Sequence, residues 1–121
     1  MEKYSLQIAG REIPLRFSMR ELADIEEAIG TADKLKELIL QGRRRLRNLV
    51  STIRIMGNSG LRHAGQPEDL TDEWLLDHMD PAMITGYQIA VLGAFTDGFH
   101  METEEDTVRD PVLEEIEKKK G

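Results

Sequence analysis

The chain has 121 residues, of which 40% are hydrophobic and 32% charged, and its formal net charge is −7. These values predict one soluble globular domain with a modest core. The absence of cysteine excludes disulfides, thiolate chemistry and cysteine metal sites. No segment approaches the roughly 20 apolar residues of a membrane span, and no signal peptide precedes the first predicted strand, so we expect a cytoplasmic protein that does not bind membranes.

The first predicted element is a β-hairpin. Residues 4–8 and 13–17 alternate apolar with polar side chains, as half-buried strands do. Gly10-Arg11 predicts a two-residue type II′ turn, which prefers glycine first. That turn would set three facing apolar pairs, Ile8–Ile13, Leu6–Leu15 and Tyr4–Phe17. Pro14 predicts an edge strand, and the apolar face of the ribbon needs another element to cover it.

A helix is predicted directly after the hairpin. Ser18 and Glu21 have the spacing of a capping box, in which two side chains satisfy free backbone N–H groups at the helix start. One apolar stripe follows, and Gly30 is expected to end the helix in a left-handed conformation. The residues of the predicted stripe are Met19, Leu22, Ile25 and Ile29.

Further helices follow along the chain. Thr31 can cap a helix from Ala32, and Gly42 either separates it from a new helix or bends one continuous helix. A helix from Arg43 is expected to end at Gly57–Gly60. A short helix is expected after Thr71, and a last one from Pro81. The chain therefore predicts a mainly helical α+β fold, a single domain over 1–100 with the hairpin at 3–17 and four to five helices over 18–99.

The last of these helices is unusual, because residues 82–95 are apolar on nearly every side. Such a helix is either central in a bundle or completed by a partner. Its small residues Gly86, Ala90, Gly93 and Ala94 would let a neighbouring backbone approach closely.

Charge is distributed unevenly. Residues 34–62 hold eight of the sixteen basic residues against one acid, whereas residues 102–121 hold eight acids against four basic residues. The basic cluster consists of Arg43, Arg44, Arg45 and Arg47. It suits a solvated helix face, a protein contact or the phosphates of nucleic acid, although the net charge of −7 and the lack of interleaved aromatic residues disfavour nucleic acid. This asymmetry favours self-association or an acidic partner.

The segment after the globular part is acidic. Residues 101–110 are expected to be mobile, and residues 111–120 are expected to form a short helix on docking. Its apolar side chains are Val112, Leu113 and Ile116.

No pattern of residues predicts catalysis. The chain has no nucleotide-binding glycine loop, no P-loop and no nucleophile elbow. His63, His78 and His100 are isolated from one another, and the acidic pairs are typical of solvated helix faces. We therefore expect no enzymatic activity, no metal and no cofactor.

The opening segment KYSLQIAGREIPLRFSMRELADIEEAIG resembles the tail assembly chaperones of long-tailed bacteriophages, closely over residues 4–30 and more loosely over 71–99. These are small proteins with an N-terminal hairpin, a helix with an acidic outer face and further helices. The resemblance implies binding of the tape-measure protein and of tail-tube subunits in the cytoplasm of a bacterial host. It also implies a longer form made by a ribosomal shift near Lys118–Lys120.

Under that resemblance, Val112, Leu113 and Ile116 are candidate docking residues, and the arginines from Arg43 to Arg47 form a candidate surface between copies. The alternative is a small regulatory or nucleic-acid-binding module that uses the arginine cluster.

Overall fold

The computed structural model describes the backbone of residues 3–109 and the side chains of residues 3–99. Within this range, a two-stranded hairpin packs on five α-helices, and this arrangement confirms the predicted mainly helical α+β fold. Short 3₁₀ turns at Ala32–Lys34 and Pro81–Met83 precede the second and fifth helices. The elements are β1 (Tyr4–Ile8), β2 (Arg11–Leu15), α1 (Met19–Ala28), α2 (Leu35–Leu40), α3 (Arg45–His63), α4 (Asp72–His78) and α5 (Ile84–Arg109).

The hairpin turn lies one residue earlier than the sequence predicts. Ala9 and Gly10 both have positive φ, +53° and +75°, as a type I′ turn requires. The predicted register is therefore wrong by two residues. A shift of two keeps every side chain on its own face, so the expected apolar face is still the buried one. The observed pairs include Tyr4–Leu15, Leu6–Ile13 and Ile8–Arg11.

Glycines inside α3 let the hairpin backbone lie directly on the helix. The prediction that Gly57–Gly60 ends the helix is wrong, because α3 continues to His63. A Cβ at Gly60 would lie 2.6 Å from the carbonyl carbon of Pro14, and one at Gly57 would lie 2.8 Å from Cγ2 of Ile13. The two glycines are thus sites of close approach to β2 rather than a helix end.

The capping box of α1 forms as predicted and also joins α1 to α3. The backbone N–H of Ser18 donates to Oε1 of Glu21 at 2.8 Å. The hydroxyl of Ser59 on α3 donates to the other carboxylate oxygen at 2.7 Å. Glu21 is only 2% exposed, so a residue predicted to cap a helix is also a polar bridge between two helices.

Two details of α1 differ from the prediction. Met19 is 63% exposed and lies outside the buried side of the helix, because at 100° per residue it lies about 90° from the centre of the other three stripe residues. Gly30 is not left-handed; among the described glycines, only Gly10, Gly42 and Gly65 have positive φ. Gly30 instead leaves room for Leu38, whose Cδ1 would lie 2.6 Å from a Cβ there.

Gly42 separates α2 from α3, with a φ of +89°. Of the two possibilities that the sequence leaves open, the structure therefore has two distinct helices. Asn48 fixes their relative position, because its side-chain amide donates to the carbonyl of Leu38 at 3.0 Å.

The last helix is longer than predicted. α5 continues to Arg109, beyond the expected end near residue 99, because residues 99–109 contain neither glycine nor proline and several good helix formers. The glycines of its middle section accommodate aromatic rings of the hairpin region: Tyr4 lies against Gly93, and Phe17 against Gly98. The helix expected over 111–120 lies outside the described residues.

The core lies where the hairpin, α3 and α5 meet, and it includes Ile13, Leu15, Ile53, Met56 and Val91. Searched over the described part of the chain, no helix combines the length and apolar character that crossing a bilayer requires.

Candidate partner-binding surfaces

α5 is not a central helix, because only part of its circumference is buried. Tyr87, Val91, Ala94 and Phe95 are buried. On another side, Ile89 is 66% exposed, the largest exposed fraction of any large hydrophobic side chain between residues 3 and 99. Of the two possibilities that the sequence left open, a core helix and a helix completed by a partner, the structure does not show the first, because Ile89 is exposed.

The exposed side of α5 forms one wall of an apolar groove, and α2 with the turn before it forms the other. This α2–α5 groove has a volume of about 450 Å³. On α5, its lining residues recur at intervals of three and four, the spacing of a helix–helix seam. The principal lining residues are Leu35, Lys36, Ile89, Leu92, Thr96 and Phe99.

A second apolar groove lies where the start of α3, α4 and the start of α5 meet. This α3–α5 groove is smaller, about 180 Å³. Leu46 and Leu76 form part of it, and each is 39% exposed. Leu46 lies at the groove because it precedes the buried part of α3, which begins at Asn48. The other lining residues include Val50, Met79, Pro81 and Ile84.

The arginine cluster lies beside the α3–α5 groove. Arg43, Arg44, Arg45 and Arg47 are all exposed and surround Leu46 in sequence. Within residues 3–99, no carboxylate lies within ion-pair distance of any of them. Because the positive end of the α3 dipole lies at the same place, the cluster is electrostatically unfavourable for the isolated chain and attractive to an anionic partner.

Arg54, which lies further along α3, has a different role. Its Nε donates to Oδ1 of Asp72 at 2.7 Å, and Ser51 donates to the other oxygen of that carboxylate at 2.9 Å. Asp72 is therefore a link between α4 and α3 rather than only a solvated acid. Arg54 is engaged within the fold, whereas the four arginines of the cluster remain exposed.

The predicted site residues fall into two groups. The structure gathers the four arginines on one surface, next to an apolar groove that the sequence does not reveal. Val112, Leu113 and Ile116 lie outside the described residues, so their position relative to the arginines is not part of this structure.

Titratable groups within the described fold are arranged for stability. Burial disfavours the charged form of Glu21, but hydrogen bonds from Ser18 and Ser59 and the nearby charge of Arg16 outweigh it and lower the pKa of Glu21. His63 and His78 each place Nδ1 within 2.9 Å of a backbone carbonyl oxygen in their own helix. No group of three metal-ligating side chains occurs among the residues described.

Two apolar grooves and one cationic cluster are thus candidate partner-binding surfaces among the described residues. Comparison of the chain with protein-family models, with curated proteins and with solved structures finds no match.

Proposed function

We propose that this protein is a phage tail assembly chaperone, a non-enzymatic binder of the tape-measure protein and of tail-tube subunits. The observation that carries the proposal is the open apolar side of α5 in the α2–α5 groove, with Ile89 largely exposed. The resemblance of residues 4–30 to that family supports it as well.

The physical basis is the shielding of a long helical client. A tape-measure helix exposes apolar side chains until the tail tube encloses it, and a groove with helix-seam spacing can cover them. Each groove covers only a short stretch, so a single contact is weak. Many copies along one client would bind firmly through avidity and could still be displaced by tube subunits.

The test is co-expression with the tape-measure protein of the same phage. Wild-type chain is expected to keep the client soluble and to co-purify with it. Ile89→Asp places a charge in the groove and should reduce the co-purified client by about tenfold, the effect of about 1.4 kcal/mol. Met19→Asp is the matched control, because Met19 is equally exposed but lies on α1, away from the groove.

Two results would contradict the proposal. One is a client that gains no solubility from the wild-type chain. The other is an equal loss of binding in both variants while circular dichroism shows both to be folded.

The arginine cluster favours a second candidate, a nucleic-acid-binding module, because four exposed cations lie at the positive end of a helix. Duplex DNA or single-stranded RNA should then bind with an affinity that falls about 100-fold between 50 and 200 mM salt for four phosphate contacts. Fluorescence anisotropy measures this, and no binding at 50 mM salt would reject the candidate.

A further inference from the structure

The α3–α5 groove combines two kinds of recognition in one place. Its surface is apolar except for Asp80 and is partly open at Leu46 and Leu76. The arginine cluster borders it without carboxylate partners among residues 3–99. The occupant that fits should therefore offer apolar side chains and several carboxylates within a short segment.

The C-terminal segment of this same chain has that composition. Residues 110–117 read DPVLEEIE, with three large apolar residues among four acids. Val112, Leu113 and Ile116 are spaced so that a helical turn would place them on one side, and Glu114, Glu115 and Glu117 supply the carboxylates.

This segment cannot reach the groove of its own chain. Ile84, at the groove, and Arg109 lie at opposite ends of the 26-residue α5, roughly 38 Å apart at 1.5 Å per residue. Ile116 follows Arg109 by seven residues, which span at most about 25 Å when fully extended. The groove is thus out of range for its own apolar segment and accessible only to that of another copy.

We infer that residues 110–117 of one copy dock in the α3–α5 groove of the next, with the arginine cluster pairing with their carboxylates. Such a contact joins two different surfaces, so it leaves one groove and one segment free at the ends of every open assembly. Head-to-tail contacts of this kind grow into chains or close into rings. The inference does not rest on the proposed function.

The first measurement is the mass of the full chain by light scattering or sedimentation as its concentration increases. The average mass should rise above that of two 13.8 kDa copies and should fall again in 0.5 M NaCl, because the ion pairs are screened. A mass of one copy at every concentration would overturn the inference, whether the segment binds elsewhere in its own chain or a different protein occupies the groove.

Two complementary variants test the head-to-tail geometry. Leu76→Glu blocks the groove at a residue that is already 39% exposed, and Leu113→Glu blocks the segment outside the described fold. Each variant alone should remain a single copy. Their equimolar mixture should form a complex of two copies and no more, because only one groove and one segment remain functional.

The controls separate this inference from misfolding and from client binding. Met19→Glu should assemble like wild type, and thermal unfolding should show that Leu113→Glu is as stable as wild type. Ile89→Asp lies in the other groove, so it should assemble normally even where client binding is lost. A mixture that stays monomeric, or assembly by Leu113→Glu alone, would overturn the inference.

Discussion

The close packing of β2 on α3 makes Gly60 a sensitive position. A Gly60→Ala substitution would place a methyl group 2.6 Å from the carbonyl carbon of Pro14 and closer still to its oxygen. The obstacle is backbone and not the end of a flexible side chain, so β2 itself has to move. Ile13 and Leu15, which are buried in the core, would move with it.

Two opposing effects set the magnitude. Alanine is favoured over glycine inside a helix by about 1 kcal/mol. Overpacking costs about 1–3 kcal/mol, and a backbone obstacle places Gly60→Ala at the upper end of that range. The expected net loss is about 2 kcal/mol in the free energy of unfolding, or roughly 8 °C in Tm for a chain of this size.

Gly86→Ala is the matched control in the same kind of structure. Gly86 is an exposed glycine of α5, and a Cβ there would contact only Cε of Met83 at an ordinary 3.6 Å. Because nothing obstructs this Cβ, the greater helix preference of alanine should raise the free energy of unfolding of Gly86→Ala by about 0.5–1 kcal/mol.

Urea unfolding followed by circular dichroism measures both variants. The reasoning predicts changes of opposite sign, with Gly60→Ala less stable and Gly86→Ala more stable than wild type. Equal or greater stability of Gly60→Ala would show that β2 does not lie on α3 at this point.

Three further substitutions test other parts of the fold. Glu21→Gln should lower the free energy of unfolding by about 1–3 kcal/mol at pH 7. Because folding lowers the pKa of Glu21 from its ordinary 4.5, this loss should persist above pH 4.5 and shrink as the pH falls through the pKa of the folded state. A loss that urea titrations show to be independent of pH would contradict this reasoning. Ala9→Asn should raise Tm and increase the free energy of unfolding by up to about 1 kcal/mol, because asparagine tolerates a φ of +53° better than alanine. An unchanged or lower Tm would argue against the type I′ turn. Asn58→Ala removes the two hydrogen bonds, 3.0 and 3.1 Å long, that hold the backbone of Leu70. Chemical denaturation should therefore show a loss of about 2 kcal/mol in the free energy of unfolding. A stability within error of wild type would contradict that role of Asn58.

Local sequence signals predict the elements near the N-terminus because neighbouring residues determine them. The Ser18–Glu21 capping box and the alternation of the hairpin depend on contacts within a few residues. The prediction of a turn at Gly10-Arg11 is wrong because one glycine fits the first position of a type II′ turn as well as the second position of a type I′ turn. The buried face is nevertheless correct, since a two-residue shift preserves it.

The glycines of α3 show where such reasoning reaches its limit. The segment Gly57–Gly60 predicts a helix end, because glycine has a low intrinsic preference for the helix. Both glycines instead make room for β2, more than 40 residues away in sequence: Gly60 faces the backbone of Pro14, and Gly57 faces the side chain of Ile13. Sequence periodicity contains no information about that contact.

Some features of the candidate binding surfaces can likewise be predicted from the sequence, and others depend on how the chain folds. Sequence alone predicts the asymmetry of charge, the arginine cluster and the apolar character of residues 82–95, because these are properties of composition. The folded structure was needed to show that α5 leaves Ile89 exposed, that Arg54 pairs with Asp72, and that the four clustered arginines border an apolar groove. Those outcomes depend on which helix packs against which, and that choice is made by contacts between residues far apart in the chain.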